Sequence, residues 1–88
     1  MKELLIEYVG SVFFFYVIIA TGNPLAIGAA LAMVAYLGGP ISGGNYNPAV
    51  TLMMVLSGKQ QVNTVFTYMI VQFLAAFTVV EIYKRVRT

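Results

Sequence analysis

The chain of 88 residues contains no cysteine and no histidine. Their absence excludes disulfide-bonded scaffolds, thiolate chemistry, Cys/His zinc sites and catalytic triads that depend on histidine. Charged residues make up only 9% of the chain, against roughly 25% in an ordinary soluble domain. The formal net charge of +2 is too small and too dispersed to indicate binding to nucleic acid. The composition therefore argues against a soluble domain.

Hydrophobic residues are abundant, at 60% of the chain, and the mean hydropathy is +0.87. Three apolar segments, at residues 4–20, 24–38 and 62–83, are predicted to be transmembrane helices, which need about 20 apolar residues each. Glu3 and Glu7 are unlike the basic leader and apolar core of a signal peptide, and further apolar segments follow. The pattern predicts an all-α, multi-pass integral membrane protein, whose helices contact the lipid bilayer.

Residues 39–57 differ from these spans. Four glycines and one proline in residues 38–47 oppose a regular helix. Residues 48–56 return to an apolar helical pattern, but nine residues extend only about 13 Å, roughly half of the hydrocarbon core. This pattern fits two structures, a re-entrant loop with a half-helix shielded by protein or water, and a short connection at the membrane surface.

The half-helix is predicted to begin at the Asn47-Pro48-Ala49 corner. Asn47 is a good N-cap and Pro48 is favoured at the first helical position, so the corner is consistent with an ordinary capped helix. At mid-membrane the same corner would present N–H donors and the positive end of the helix dipole. Such a site orients water, disfavours cations and suits a small neutral solute.

The segment ISGGNYNPAVTL at residues 41–52 resembles the first signature loop of the aquaporin and aquaglyceroporin (major intrinsic protein) family. EYVGS at residues 7–11 is similar to the acidic motif of the family's first helix. LAIG at residues 25–28 resembles its second-helix motif, and YMIVQ at residues 68–72 resembles the start of its third helix. The resemblance implies that residues 1–88 form one aquaporin-like half-repeat, with three transmembrane helices and one re-entrant half-helix.

The resemblance also implies roles for particular residues. The positions that would line the pore are Asn45, Asn47, Pro48, Ala49 and Ile27. The positions that would brace the signature loop are Glu7, Gln72, Ser42, Gly43 and Gly44. From the residues alone, Glu7 could instead remain hydrated at the membrane surface. Gln72 could form a hydrogen bond between helices that does not involve the loop.

Two positions depart from the family pattern. Asn45 stands where the family usually has histidine, and asparagine does not titrate, so gating by pH through this position is excluded. Ile27 stands where water-selective members commonly have an aromatic residue. The permeant solute is therefore left open between water and a small neutral molecule such as glycerol. Tyr46 is interpreted as a packing residue and not as a pore residue.

Only one repeat is present, and a lone repeat would expose its loop to lipid. We therefore expect an oligomer, either an antiparallel homodimer or a complex with a second half-repeat chain. Lys2 and Lys59 on one side face Lys84, Arg85 and Arg87 on the other, which is a weak orientation signal. The alternative is a small structural component of a larger assembly, such as a virion or organelle membrane, that has lost transport.

Catalysis is not expected. The serine and threonine hydroxyls have no histidine or lysine at membrane depth to activate them. The three glutamates, at positions 3, 7 and 81, are too dispersed to form a carboxylate pair or a metal cage. The sequence predicts neither enzymatic activity nor a cofactor or metal.

Overall fold

The computed structural model describes residues 1–86, which fold into four α-helices and one short 3₁₀ turn. The helices are α1 (Lys2–Thr21), α2 (Pro24–Ser42), α3 (Pro48–Leu56) and α4 (Val65–Val86), and the 3₁₀ turn is Val62–Thr64. Among these residues there is no strand. Three stretches are long and apolar enough to cross a membrane: Lys2–Thr21, Pro24–Ser42 and Val62–Val86. Arg87, which was counted among the positive charges near the C-terminus, lies outside the described residues.

The turn between α1 and α2 follows from its sequence. Gly22 adopts a left-handed conformation with φ 58° and its N–H donates to the Ile18 carbonyl, which ends α1. The Asn23 side chain then accepts a hydrogen bond from the Ala26 N–H at 3.0 Å, and Pro24 occupies the first helical position. The two helices therefore run antiparallel.

Side-chain contacts establish the directions of the other helices. Glu7 and Tyr8 near the start of α1 contact Gln72 and Thr78 of α4, and Tyr16 further along contacts Tyr83, so α1 and α4 run parallel. The half-helix α3 leads back to the start of α4 through residues 57–61, which we call the connector. We call the end of the bundle that carries the connector the connector end. The starts of α1 and α4 and the ends of α2 and α3 all lie there.

Helix α2 is longer than the sequence predicted. The prediction that residues 38–47 avoid regular helix was wrong for residues 38–42, because α2 continues through Pro40 to Ser42. Pro40 lies in the last turn, so only one intrahelical hydrogen bond is lost there. The helix ends at Gly43, whose φ is 93° and whose N–H donates to the Gly39 carbonyl. The irregular loop is therefore shorter, at residues 43–47.

The other helix ends differ less from the bounds predicted from the sequence. Helix α1 extends over Lys2–Thr21 where residues 4–20 were predicted, and polar residues close both ends. The third span was predicted at residues 62–83, but α4 starts at Val65 after the 3₁₀ turn and continues to Val86. Its last turn is supported by the ion pair of Glu81 with Arg85, 2.6 Å apart at the i,i+4 spacing. The half-helix begins and ends at the predicted residues, 48 and 56.

Candidate functional site: the signature loop and its half-helix

Glu7 of α1 is completely buried and accepts four hydrogen bonds at the centre of the bundle. Its Oε1 accepts from the Tyr46 N–H at 2.8 Å and from Gln72 Nε2 at 2.9 Å. Its Oε2 accepts from Ser42 Oγ at 2.7 Å and from the Asn45 N–H at 3.1 Å. Because two of these donors are backbone groups of the loop, one carboxyl group holds the loop against α1, α2 and α4.

Thr51, on the first turn of α3, extends this cluster toward the half-helix. Its Oγ1 accepts hydrogen bonds from Gln72 Nε2 at 2.8 Å and from Asn45 Nδ2 at 3.1 Å. Asn45 Nδ2 also donates to Gln60 Oε1 of the connector at 2.7 Å. The residues Glu7, Gln72, Thr51, Asn45 and Gln60 therefore form one continuous hydrogen-bonded chain, which we call the polar network.

The backbone of residues 43–46 has two unlike edges. Every N–H in this stretch is bonded: Gly43 to the Gly39 carbonyl, Gly44 to Ser42 Oγ at 3.2 Å, and the next two residues to Glu7. Positive φ angles at Gly43, Gly44 and Tyr46 turn the chain in this way. The carbonyl oxygens of residues 43–46 form no hydrogen bond with any described residue. In a membrane such an edge requires water or another protein surface.

The Tyr46 side chain packs between α1 and α2. It is 1% exposed, and its hydroxyl donates to the Val34 carbonyl at 2.6 Å. A Cβ atom at Gly10 would lie 2.3 Å from its ring, and one at Gly38 would lie 1.9 Å from its hydroxyl oxygen. Tyr46 is thus a packing residue, and the two glycines create the space that it fills.

Asn47 begins the half-helix and remains exposed to solvent or lipid. Its Oδ1 accepts a hydrogen bond from the Ala49 N–H at 2.8 Å, and its carbonyl accepts from the Thr51 N–H at 2.9 Å. Its Nδ2 makes no hydrogen bond with the described residues and so remains an available donor. The cap therefore presents one side-chain donor beside the positive end of the α3 dipole.

The contact of Thr51 with Gln72 gives the depth of this corner. Helix α4, with 22 residues, is about 33 Å long, and Gln72 lies about 10 Å from its start. Pro48 precedes Thr51 by three residues and therefore lies about 4 to 5 Å deeper. The N-terminus of α3 is thus close to the middle of the long helices, as a re-entrant segment requires.

The other residues named from the sequence lie in different places. Pro48 is half-buried and Ala49 is exposed beside Asn47. Ile27 is half-buried near the start of α2, about 22 Å along that helix from Ser42. The chain therefore groups Asn45, Asn47, Pro48 and Ala49 but leaves Ile27 toward the far end of the bundle.

Three residues of the site were not identified from the sequence. Thr51 joins Asn45 to Gln72, Gln60 extends the polar network to the connector, and Tyr68 donates its hydroxyl to the Ser42 carbonyl at 2.8 Å. A polar residue one turn into the half-helix was a usable signal for Thr51, because residues 47 and 51 share a helix face. No comparable pattern pointed to Gln60, because it lies in a polar segment that the sequence suggests is exposed.

The chemistry available here is hydrogen bonding. The described residues contain no group of three or more metal-ligating side chains. The carbonyl edge offers acceptors, and Asn47 and the start of α3 offer donors. This surface therefore offers both donors and acceptors.

Comparison with known proteins agrees with the motifs. The sequence model of the family described as Major intrinsic protein matches residues 16–88. A glycerol uptake facilitator protein-like 6 from Lactiplantibacillus plantarum is 35% identical over 86% of this chain and 39% of the relative. Aquaporin PIP2-7 from Musa acuminata is 32% identical over 94% of this chain and 36% of the relative. Aquaporin Z from Brucella melitensis is 36% identical over 69% of this chain and 27% of the relative.

The chain spans less than two fifths of the length of each of these relatives. No solved structure matches it. The family model covers most of the chain, and it includes the signature loop, the half-helix and the third span. This chain therefore belongs to the major intrinsic protein family, and its three long apolar helices make it an integral membrane protein.

Proposed function

We propose that this chain forms half of a passive membrane channel for water or a small neutral solute such as glycerol, and that it is not an enzyme. The observation on which the proposal depends is the corner at Asn47, which presents a free amide donor at the N-terminus of a half-helix near the middle of the bundle. The unbonded carbonyl edge of residues 43–46 leads from this corner toward the connector end. A solute that exchanges donors and acceptors along this surface loses little hydrogen bonding on leaving water.

The charge at the corner disfavours ions. The start of α3 carries the positive end of its dipole, which repels a cation at this corner. An anion would meet the acceptor oxygens of the carbonyl edge, which cannot donate to it. A neutral solute avoids both penalties, and this is the reason for naming water and glycerol as the substrate class.

The test is the substitution Asn47→Asp in purified chain reconstituted into phospholipid vesicles, with water and glycerol flux measured by light scattering. Aspartate caps a helix as well as asparagine does, so α3 keeps its start while the free NH₂ donor is lost. The matched control is Asn23→Asp, because Asn23 caps α2 before a proline in the same way at the far end of the bundle. We expect flux to fall about tenfold in the first variant and to remain unchanged in the second.

Two results would contradict the proposal. One is equal flux in wild type and Asn47→Asp, because the corner would then not lie on the path. The other is wild-type flux equal to that of empty vesicles, which would favour the alternative of a structural membrane component without transport.

We further propose that the channel is completed by a second half-repeat, supplied by another copy in antiparallel orientation. A lone chain would leave the Asn47 amide and four carbonyl oxygens near mid-membrane in contact with lipid, at a cost of several kcal/mol for each unsatisfied group. A second half-repeat would cover them. A two-fold axis in the membrane plane near Pro48 would bring the two α3 starts together, as in inverted repeats generally.

The natural absence of cysteine allows a direct test of this arrangement. In an antiparallel pair, Ala49→Cys lies near the axis and should form a disulfide-linked dimer under mild oxidation. Leu25→Cys, exposed near the far end of the bundle, should not, because the two copies would place it on opposite sides of the membrane. Fusion of a reporter to the C-terminus would have to report both orientations. A single orientation would exclude the homodimer, and a co-purifying half-repeat chain would then be the partner.

A further inference from the structure

The connector between α3 and α4 is attached to the signature loop by one side chain. Gln60 Oε1 accepts a hydrogen bond from Asn45 Nδ2 at 2.7 Å, and Gln60 Nε2 donates to Thr64 Oγ1 at 2.8 Å. Thr64 Oγ1 donates in turn to the Gln61 carbonyl at 2.6 Å. Within residues 1–86, no other side chain of the connector forms a hydrogen bond with residues 43–47. The half-buried Gln60 amide therefore sets the distance between the connector and the loop.

Asn45, the residue that Gln60 holds, is connected to the site on its other sides. It is 5% exposed, its backbone N–H donates to Glu7 Oε2, and its Nδ2 also donates to Thr51 Oγ1. Its own carbonyl belongs to the unbonded edge of residues 43–46. A change in the Asn45 side chain would therefore be transmitted directly to the backbone that faces the solute.

The position of this attachment matters because Asn47 lies near mid-bundle. On the proposed path, a solute travelling between Asn47 and the connector end passes the carbonyl edge, which includes the carbonyl of Asn45, the residue that Gln60 holds. The Lys59 N–H of the connector donates to the Met54 carbonyl of α3 at 2.9 Å. The connector backbone is thus fastened to the end of α3, and the Gln60 side chain fastens it to the loop as well.

We propose that Gln60 is a positioning residue that sets the width of the channel mouth at the connector end by holding Asn45 and the connector together. The proposal rests on the proposed channel function. Gln60 itself does not act on the solute through chemistry. It holds Asn45, whose carbonyl lies on the edge that the solute passes, and so it determines the size of the solute that is admitted.

The test uses three variants of the reconstituted chain. Gln60→Met keeps the length of the side chain and removes both hydrogen bonds. Gln60→Glu keeps an oxygen that accepts from Asn45 Nδ2 and loses only the donor to Thr64. Gln61→Met is the matched control, since the Gln61 side chain is exposed and forms no hydrogen bond with any described residue.

The readout is size discrimination, measured as the ratio of erythritol flux to glycerol flux into vesicles of phosphatidylcholine and phosphatidylglycerol. For Gln60→Met we expect this ratio to rise about three- to tenfold, which corresponds to the population change from losing the hydrogen bond to Asn45. Gln60→Glu and Gln61→Met should match wild type. If Gln60→Met merely destabilised the protein, the erythritol and glycerol fluxes would fall together. Gln60→Glu would then not keep the wild-type flux ratio.

Hydrogen exchange of the chain in micelles provides a second readout that does not depend on transport. In Gln60→Met, the Asn45 side-chain amide should exchange faster by a similar factor, and in Gln60→Glu it should remain protected. Unchanged exchange in Gln60→Met would overturn the attachment. Faster exchange with unchanged size discrimination in a conducting channel would overturn the positioning role. Wild-type flux no greater than that of empty vesicles would instead refute the proposed channel, and with it the role of Gln60 at the channel mouth. The exchange data would still show whether Gln60 holds Asn45.

Discussion

Replacing Glu7 by glutamine should destabilise the fold although the two side chains have the same shape. Glu7 presents two acceptor oxygens to four donors, namely Tyr46 N, Gln72 Nε2, Ser42 Oγ and Asn45 N. Glutamine turns one oxygen into an NH₂ group, which cannot accept. Whichever oxygen is lost, one side-chain donor can reorient, but one backbone N–H remains buried without a partner.

The magnitude follows from that orphaned N–H. A buried donor left unsatisfied costs about 1 to 3 kcal/mol, and hydrogen bonds to a charged acceptor lie at the upper end of the usual range. We therefore expect Glu7→Gln to lower the free energy of unfolding by about 2 to 3 kcal/mol. Glu7→Leu should cost more, because both backbone N–H groups would lose their acceptor.

The assay is equilibrium unfolding of the purified chain in detergent micelles, monitored by circular dichroism. Glu3→Gln is the matched control, because Glu3 is exposed and pairs only with the N-terminal amine at 3.1 Å. Exposed ion pairs contribute little to stability. The reasoning would be refuted if the two glutamine variants unfolded at the same denaturant concentration, since Glu7 would then not hold the loop.

Two further predictions concern the space around Tyr46. Gly38→Ala should destabilise the chain by about 1 to 3 kcal/mol, because the added Cβ would lie 1.9 Å from the Tyr46 hydroxyl oxygen. Gly28→Ala on the same helix, with no atom within 4 Å of the added Cβ, should be neutral or stabilising in the same unfolding assay. Tyr46→Phe removes the hydrogen bond to the Val34 carbonyl and should cost about 1 kcal/mol while leaving the helix content unchanged by circular dichroism. A Gly38→Ala protein as stable as Gly28→Ala, or a Tyr46→Phe protein as stable as wild type, would show that this packing is looser than the structure indicates.

Much of the architecture was predictable because lipid imposes a simple constraint. Long apolar runs must become helices that satisfy their own backbone, so three spans could be located from hydropathy alone. The half-helix was equally clear, because Asn47 and Pro48 mark its start and the polar residues after Leu56 mark its end. Local chemistry decides these features, and local chemistry is visible in a sequence.

The end of α2 shows where local rules failed. Residues 38–42 contain two glycines and a proline, which predict a break, yet they are helical. Gly38 is needed there because Tyr46 packs against it, and Ser42 is needed because its hydroxyl donates to Glu7. These requirements come from residues distant in the chain, and they outweigh the low helix propensity of the segment.

Hydropathy and capping residues were enough to assign the helices, and the motifs were enough to suggest the family, since each depends on neighbours along the chain. Folding alone brought Gln60 to Asn45, Thr51 to Gln72 and the Tyr46 ring to its two glycines. Those pairings depend on how helices of fixed shape pack around one buried carboxyl group. Neither hydrophobic periodicity nor residue spacing in the sequence predicts these pairings, because a hydrogen bond between side chains needs a distance and an angle that only the assembled bundle provides.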